Sequence, residues 1–90
     1  MHAVVVKVTV KNPEDTESSL TTLREEVVPG VSQAPGFVTG HWPLKDTSGV
    51  AMIIFESEDA ATAASKRIPS TVPDTVTLDD VEVREVVAHA

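Results

Sequence analysis

Residues 50–64 read VAMIIFESEDAATAA, a β-branched and apolar run that passes through Glu56-Ser57 into an alanine-rich segment. In a strand, alternate side chains point to opposite faces. Val50, Met52 and Ile54 therefore share one face, and Ala51, Ile53 and Phe55 share the other. An antiparallel strand with one face in water should alternate apolar with polar; this one is apolar on both. Ser57 is a helix cap, and Glu58-Asp59 place negative charge at the positive end of a helix dipole. A helix is predicted over Glu58–Arg67, with Ala60, Ala61, Ala64 and Ile68 on its inner side, small enough to let it approach a sheet closely.

Upstream of this unit, residues 34–44 read APGFVTGHWPL. Pro35-Gly36 makes a turn and starts a strand predicted over Phe37–Leu44, with Phe37 as its anchor. Gly40 is expected to permit a close backbone approach or a bulge. The segment Lys45–Gly49 is a hairpin connection of Asp, Thr, Ser and Gly. The first strand is His2–Val10, with Val4, Val6, Val8 and Val10 on one face and Ala3, Val5, Lys7 and Thr9 on the other. Asn12-Pro13-Glu14-Asp15 is a capped, acidic helix start. The helix is predicted over Pro13–Val28, with Leu20, Leu23, Val27 and Val31 as a buried stripe. Pro29-Gly30 should give a kink or a short second helix rather than a straight rod, because proline removes one hydrogen bond and collides with the carbonyl four residues back. Pro69–Asp74 is a loop, and the last strand falls within Leu78–Ala88. The order is βαββαβ: an α+β, ferredoxin-like arrangement of one four-stranded antiparallel sheet with both helices on one face.

The chain has 90 residues, no cysteine, and 14 acidic against 7 basic residues, a net charge of -7. It contains no repeat, linker or low-complexity tract, so residues 1–90 are read as a single domain. A chain of this length buries only about 60–65% of the surface its unfolded form exposes, which makes a monomer modestly stable. Without cysteine there is neither a disulfide framework nor a thiolate metal site, and no metal is expected. Bases scattered singly, apart from Lys66-Arg67, do not track phosphates, so no nucleic-acid partner is expected. The apolar run in MHAVVVKVTV is interrupted at Lys7 and is too short to span a bilayer, which needs roughly 20 residues. No membrane association and a cytoplasmic location are expected. Two helices cover one sheet face only. The second apolar face calls for a second copy of the sheet, at about 25 cal/mol per Å² of apolar area removed from water, so a homodimer through the sheet face is predicted.

The helix running into VVPGVSQAPGFVTGHW, the VAMIIFESEDAATAA unit and the closing VEVREVVAHA resemble the dimeric α/β-barrel superfamily, and within it small actinobacterial proteins related to the antibiotic-biosynthesis monooxygenases. The resemblance covers nearly the whole chain. It implies a dimeric barrel and, where members are enzymes, oxidation of an electron-rich aromatic by dioxygen with no metal or flavin cofactor. In such chemistry the protein removes a phenolic proton in a water-poor pocket. His41 is the candidate catalytic base, since an unperturbed imidazole titrates near pH 6.5. Trp42, Lys7 and Phe37 are the candidate ligand-binding residues: an indole to stack or donate, a cavity charge, and an anchoring ring.

Against His41, Trp42 and Lys7 stand structural roles: a surface histidine, an interface plug and a lysine stem reaching the rim. Strand alternation puts His41 and Trp42 on opposite faces, so only one of them lines any one cavity. The haem-degrading branch uses an asparagine in the first strand, and the only asparagine here, Asn12, is a helix cap. Tyrosine is absent from the chain. His2 and His89 are expected to be solvated, and Arg84 or Glu85 to pair with Lys7 across the sheet. The acidic residues Glu14, Asp15, Glu17, Glu25 and Glu26 are expected to be a solvated helix face. The expected function is binding of a small apolar or aromatic metabolite in a sheet-lined cavity, with a quinone-forming monooxygenase as the alternative.

Overall fold

The computed structural model describes residues 1–90. Its sheet contains β1 (His2–Val10), β2 (Phe37–His41), β3 (Leu44–Lys45), β4 (Ser48–Phe55) and β5 (Val76–Glu85). All pairings are antiparallel, in the order β2-β4-β1-β5, with β3 beside β4. The connection from β1 to β2 is a long helical arm. That from β4 to β5 carries α3 (Glu58–Arg67), capped as expected by Ser57, whose Oγ accepts from the Ala60 N–H at 3.2 Å.

The arm begins with a 3₁₀ turn at Pro13–Asp15, where Asn12 Oδ1 accepts from the Glu14 N–H at 3.1 Å. It continues as α1 (Thr16–Thr22), one π-helical turn (Leu23–Val27) and α2 (Val28–Ser32). α2 is the short second helix expected at Pro29-Gly30. In the π-turn the Val28 N–H donates to the Leu23 carbonyl, five residues back, so the widened turn falls just before Pro29. Proline then sits in the first turn of α2, where its missing N–H costs nothing.

β2 and β3 are one strand in register, as predicted, with a break in regular pairing at Trp42-Pro43. Gly40 faces Ile53, His41 faces Met52, Leu44 faces Gly49 and Lys45 faces Ser48. The Val50 N–H donates to the Pro43 carbonyl at 3.0 Å, which carries the ladder across the break. The predicted hairpin loop contracts to Asp46-Thr47, with Asp46 at φ 56°, and Ser48-Gly49 join β4. Aspartate is among the few side chains that tolerate this region.

Two irregularities set which residues face the helices. In β2 the register shifts between Phe37 and Thr39, so Phe37 and Trp42, odd and even in number, both pack on the core. In β5 the shift lies opposite Lys7/Val8: Lys7 faces Asp80, while Val8 faces Leu78. Asp79 is the extra residue, and Val76, Leu78, Val81 and Val83 consequently share the helix-facing side despite the change of parity. A bulge that swaps parity lets both halves of an irregular apolar pattern reach one core.

The core on that side centres on Val4, Phe55 and Ala61, each fully buried, and on Ile53. Phe37 meets Phe55 edge-on, ring centroids 6.3 Å apart at 80°. The turn that delivers Phe37 depends on Gly36. Its φ is +80°, its carbonyl accepts from the Glu56 N–H at 2.8 Å, and a Cβ added there would lie 2.8 Å from the Ala60 Cβ. Gly36→Ala therefore combines a disfavoured backbone conformation with a clash against α3, and should lower stability by about 2–3 kcal/mol in urea unfolding. A loss below about 0.5 kcal/mol would mean that the turn does not need this conformation.

Candidate ligand cavity

The stripe Leu20, Leu23, Val27 and Val31 faces the sheet but is only half-buried, and the single buried residue of α1 is Ser19. The arm stands off from the strands and leaves a cavity of about 130 Å³. Val6 and Val8 of β1, Ala51 and Ile53 of β4, the arm stripe and Trp42 are among the residues that enclose it. For scale, an engineered apolar cavity of about 150 Å³ holds benzene.

None of the lining side chains is titratable, and the hydroxyls among them are Thr16, Ser19 and Thr71. Ser19 is already engaged, its Oγ lying 2.7 Å from Thr75 Oγ1. The surface offered to a guest is thus aliphatic, with one indole. Trp42 is held by the glycine two residues before it: a Cβ on Gly40 would come within 2.6 Å of the ring Cη2. The expected close approach at Gly40 is real, and the partner is this indole. The bulge falls instead at Val38.

The other sequence candidates lie elsewhere. His41 is exposed on the sheet face turned away from the helices, opposite Met52, and does not line the cavity. Lys7 is exposed on that same face, between Val50 of β4 and Asp80 of β5. Phe37 packs beside Phe55, outside the cavity lining. His2 departs from the expected solvated state. It belongs to β1, its side chain is 19% exposed, and its Nε2 lies 3.4 Å from Glu58 Oε2. β1 begins at His2 and pairs on both sides, which draws the imidazole under the start of α3. His89 is exposed beyond β5. No three His, Asp or Glu side chains come together in a way that could hold a metal ion.

The predicted pairing of Lys7 with Arg84 or Glu85 does not form. Arg84 Nε bonds Glu82 Oε2, two residues along the same face, and the β5 bulge brings Asp80 opposite Lys7. The Arg84 hydrogen bond holds the Glu82 carboxyl below its ordinary range against desolvation, helped by Asp80 and by the charges of Arg84 and Lys7. The same pair raises Arg84.

A second cavity, about 350 Å³, lies between the arm and α3, with Ile53 and Phe55 among its lining and Glu26 and Arg67 as its only charged members. Neither Arg67 nor the cavity role of Glu26 was apparent from the sequence, where Glu26 reads as part of a solvated helix face and Arg67 as the end of a helix.

No protein-family model matches the chain, and no curated protein is similar to it in sequence. Solved structures do match. One is a dimeric ferredoxin-like protein from an uncultured marine organism, with a TM-score of 0.66 and 11% identity, covering 100% of this chain and 98% of that one. The chain has the ferredoxin-like fold. Another match is a monooxygenase from the gene ActVA-Orf6 of Streptomyces coelicolor, solved in complex with nanaomycin D, with a TM-score of 0.61, 19% identity, and coverage of 99% and 92%. At these identities the likeness is one of fold. The ferredoxin-like α+β arrangement is the one that the βαββαβ order of elements in the sequence predicted. No helix in it is long and apolar enough to cross a membrane.

Proposed function

We propose that the protein is a homodimer, joined through its open sheet face, that binds a small apolar or aromatic metabolite between sheet and helical arm, with Trp42 as the ring's contact. The observation that carries this is the lining of the cavity: an indole among aliphatic side chains, with no titratable group. Such a site gains affinity from apolar burial and aromatic contact. It has no residue to move a proton, which favours binding over acid–base catalysis.

Support for the dimer comes from the other face. Val50 and Met52 are 36% and 45% exposed there, on one strand, beside Val5 and Ile54. The ferredoxin-like neighbour from the marine organism is itself dimeric. In such a dimer His41 and Lys7 belong to the interface and Phe37 to the core. The alternative, a cofactor-independent monooxygenase with His41 as base, draws on the Streptomyces neighbour. It requires a substrate pocket between the two sheets, since His41 lies outside the cavity within one chain.

The single tryptophan makes the test direct. Titration with 1-naphthol should quench Trp42 fluorescence saturably, at one site per protomer, with no oxygen uptake. Binding that leaves the fluorescence unchanged would remove Trp42 from the site. Oxygen consumption that disappears in His41→Ala would establish the monooxygenase reading instead.

A further inference from the structure

We infer that the two cavities form one elongated site and that its ligand is an aromatic carrying a carboxylate on a short arm, the ring at Trp42 and the carboxylate at Arg67. This rests on the proposal that the first cavity takes an aromatic ring.

The two cavities share Val27, Val31, Ile53, Ile68 and Thr71 as lining residues, so they adjoin across the thickness of those side chains. Val27 ends the π-turn, and Val31 lies in α2 just beyond it. This is where the arm departs from regular helical pairing, and such turns recur at functional sites. The chemistry changes sharply from one end to the other. The first cavity holds the indole and no charge, whereas the second has an apolar floor and a rim that carries Arg67 and Glu26. Arg67 is not in an ion pair: the pairs within the chain are His2 with Glu58 and Glu82 with Arg84. Its guanidinium is therefore open to an external anion, and its planar fork can grip a carboxylate through two hydrogen bonds. Glu26 on the same rim, also outside any ion pair, repels a ligand anion and limits the site to a single negative charge. Both cavities lie on the helix side of the sheet, so dimerisation through the opposite face leaves them accessible.

The probes are 4-(1-naphthyl)butanoate and its primary amide, isosteric and differing in charge, each titrated against Trp42 fluorescence. The carboxylate should bind about fivefold tighter than the amide, the upper end of what an exposed ion pair supplies. Arg67→Gln should bring that ratio to about one, and Glu26→Gln should raise it about twofold, by removing the like charge. The opposite signs of the two substitutions exclude a general loss of structure as the cause. If both probes quench equally, and neither substitution alters the ratio, the inference is overturned while the aromatic site stands. If 1-naphthol binds but neither long probe does, the cavities do not join, and the inference is again overturned. If none of the three quenches, the underlying cavity proposal falls.

Discussion

Phe55→Ala is expected to lower the free energy of unfolding by about 3–5 kcal/mol, the range for deleting a fully buried aromatic ring. Phe55 is 0% exposed and ends β4 between His2 of β1 and Phe37 of β2, with the Phe37 ring edge-on against it. Its removal takes away its own burial and leaves Phe37 without its ring partner. Only nine hydrophobic residues in the chain are buried, so no other cluster can take up the loss. Small domains are stable by only about 5–15 kcal/mol, and this substitution should bring much of the population to the unfolded state near 37 °C. Urea unfolding followed by far-ultraviolet circular dichroism measures it. Phe55→Leu, which keeps most of the volume, should cost less than half as much. A loss under about 1 kcal/mol for the alanine variant would mean that the core is not organised around this ring.

Met52→Glu should convert the proposed dimer into a monomer at micromolar concentration, weakening association on the order of 100-fold or more, because taking a carboxylate out of water into an apolar interface is strongly unfavourable. Met52 projects from the middle of the open face, opposite Val5 on one side and His41 on the other. In a two-fold interface the substitution also enters twice. Sedimentation or light scattering reads the mass. Quenching of Trp42 by 1-naphthol should persist, because the cavity lies on the far side of the sheet. A monomeric parent protein would refute the dimer outright. A variant that remains dimeric would show that the copies meet through another surface.

Much of this molecule was legible in the chain itself. The strand and helix order, the Ser57 and Asn12 caps and the apolar character of both β4 faces follow from patterns that span a few residues. So does the separation of His41 from Trp42, which alternation demands and the register of β2 and β3 against β4 maintains. The sheet irregularities left a trace as well. In β5 the apolar positions switch from even (Val76, Leu78) to odd (Val81, Val83) across Asp79-Asp80, the mark of an inserted residue. Read without the bulge, the strand does not reveal which residue lies opposite Lys7, since that depends on the register at the slip, and Asp80 takes the place.

Other features had no local signal. The π-turn spans Leu23–Val27, residues whose own preferences are those of an ordinary helix, and falls up to six residues upstream of Pro29. Whether the leucines of the arm seal against the sheet or stand off from it depends on the distance between two elements that the sequence does not encode one residue at a time. Local physical chemistry, acting through periodicity, capping and turn preference, determined the ferredoxin-like fold and the two faces of its sheet. The tertiary structure decided that Trp42, not His41, meets the cavity within one chain, and that Arg67 and Glu26 rim a second cavity beside it. It did so because a cavity is what remains where packing is incomplete, and completeness of packing belongs to the assembled elements rather than to any one of them.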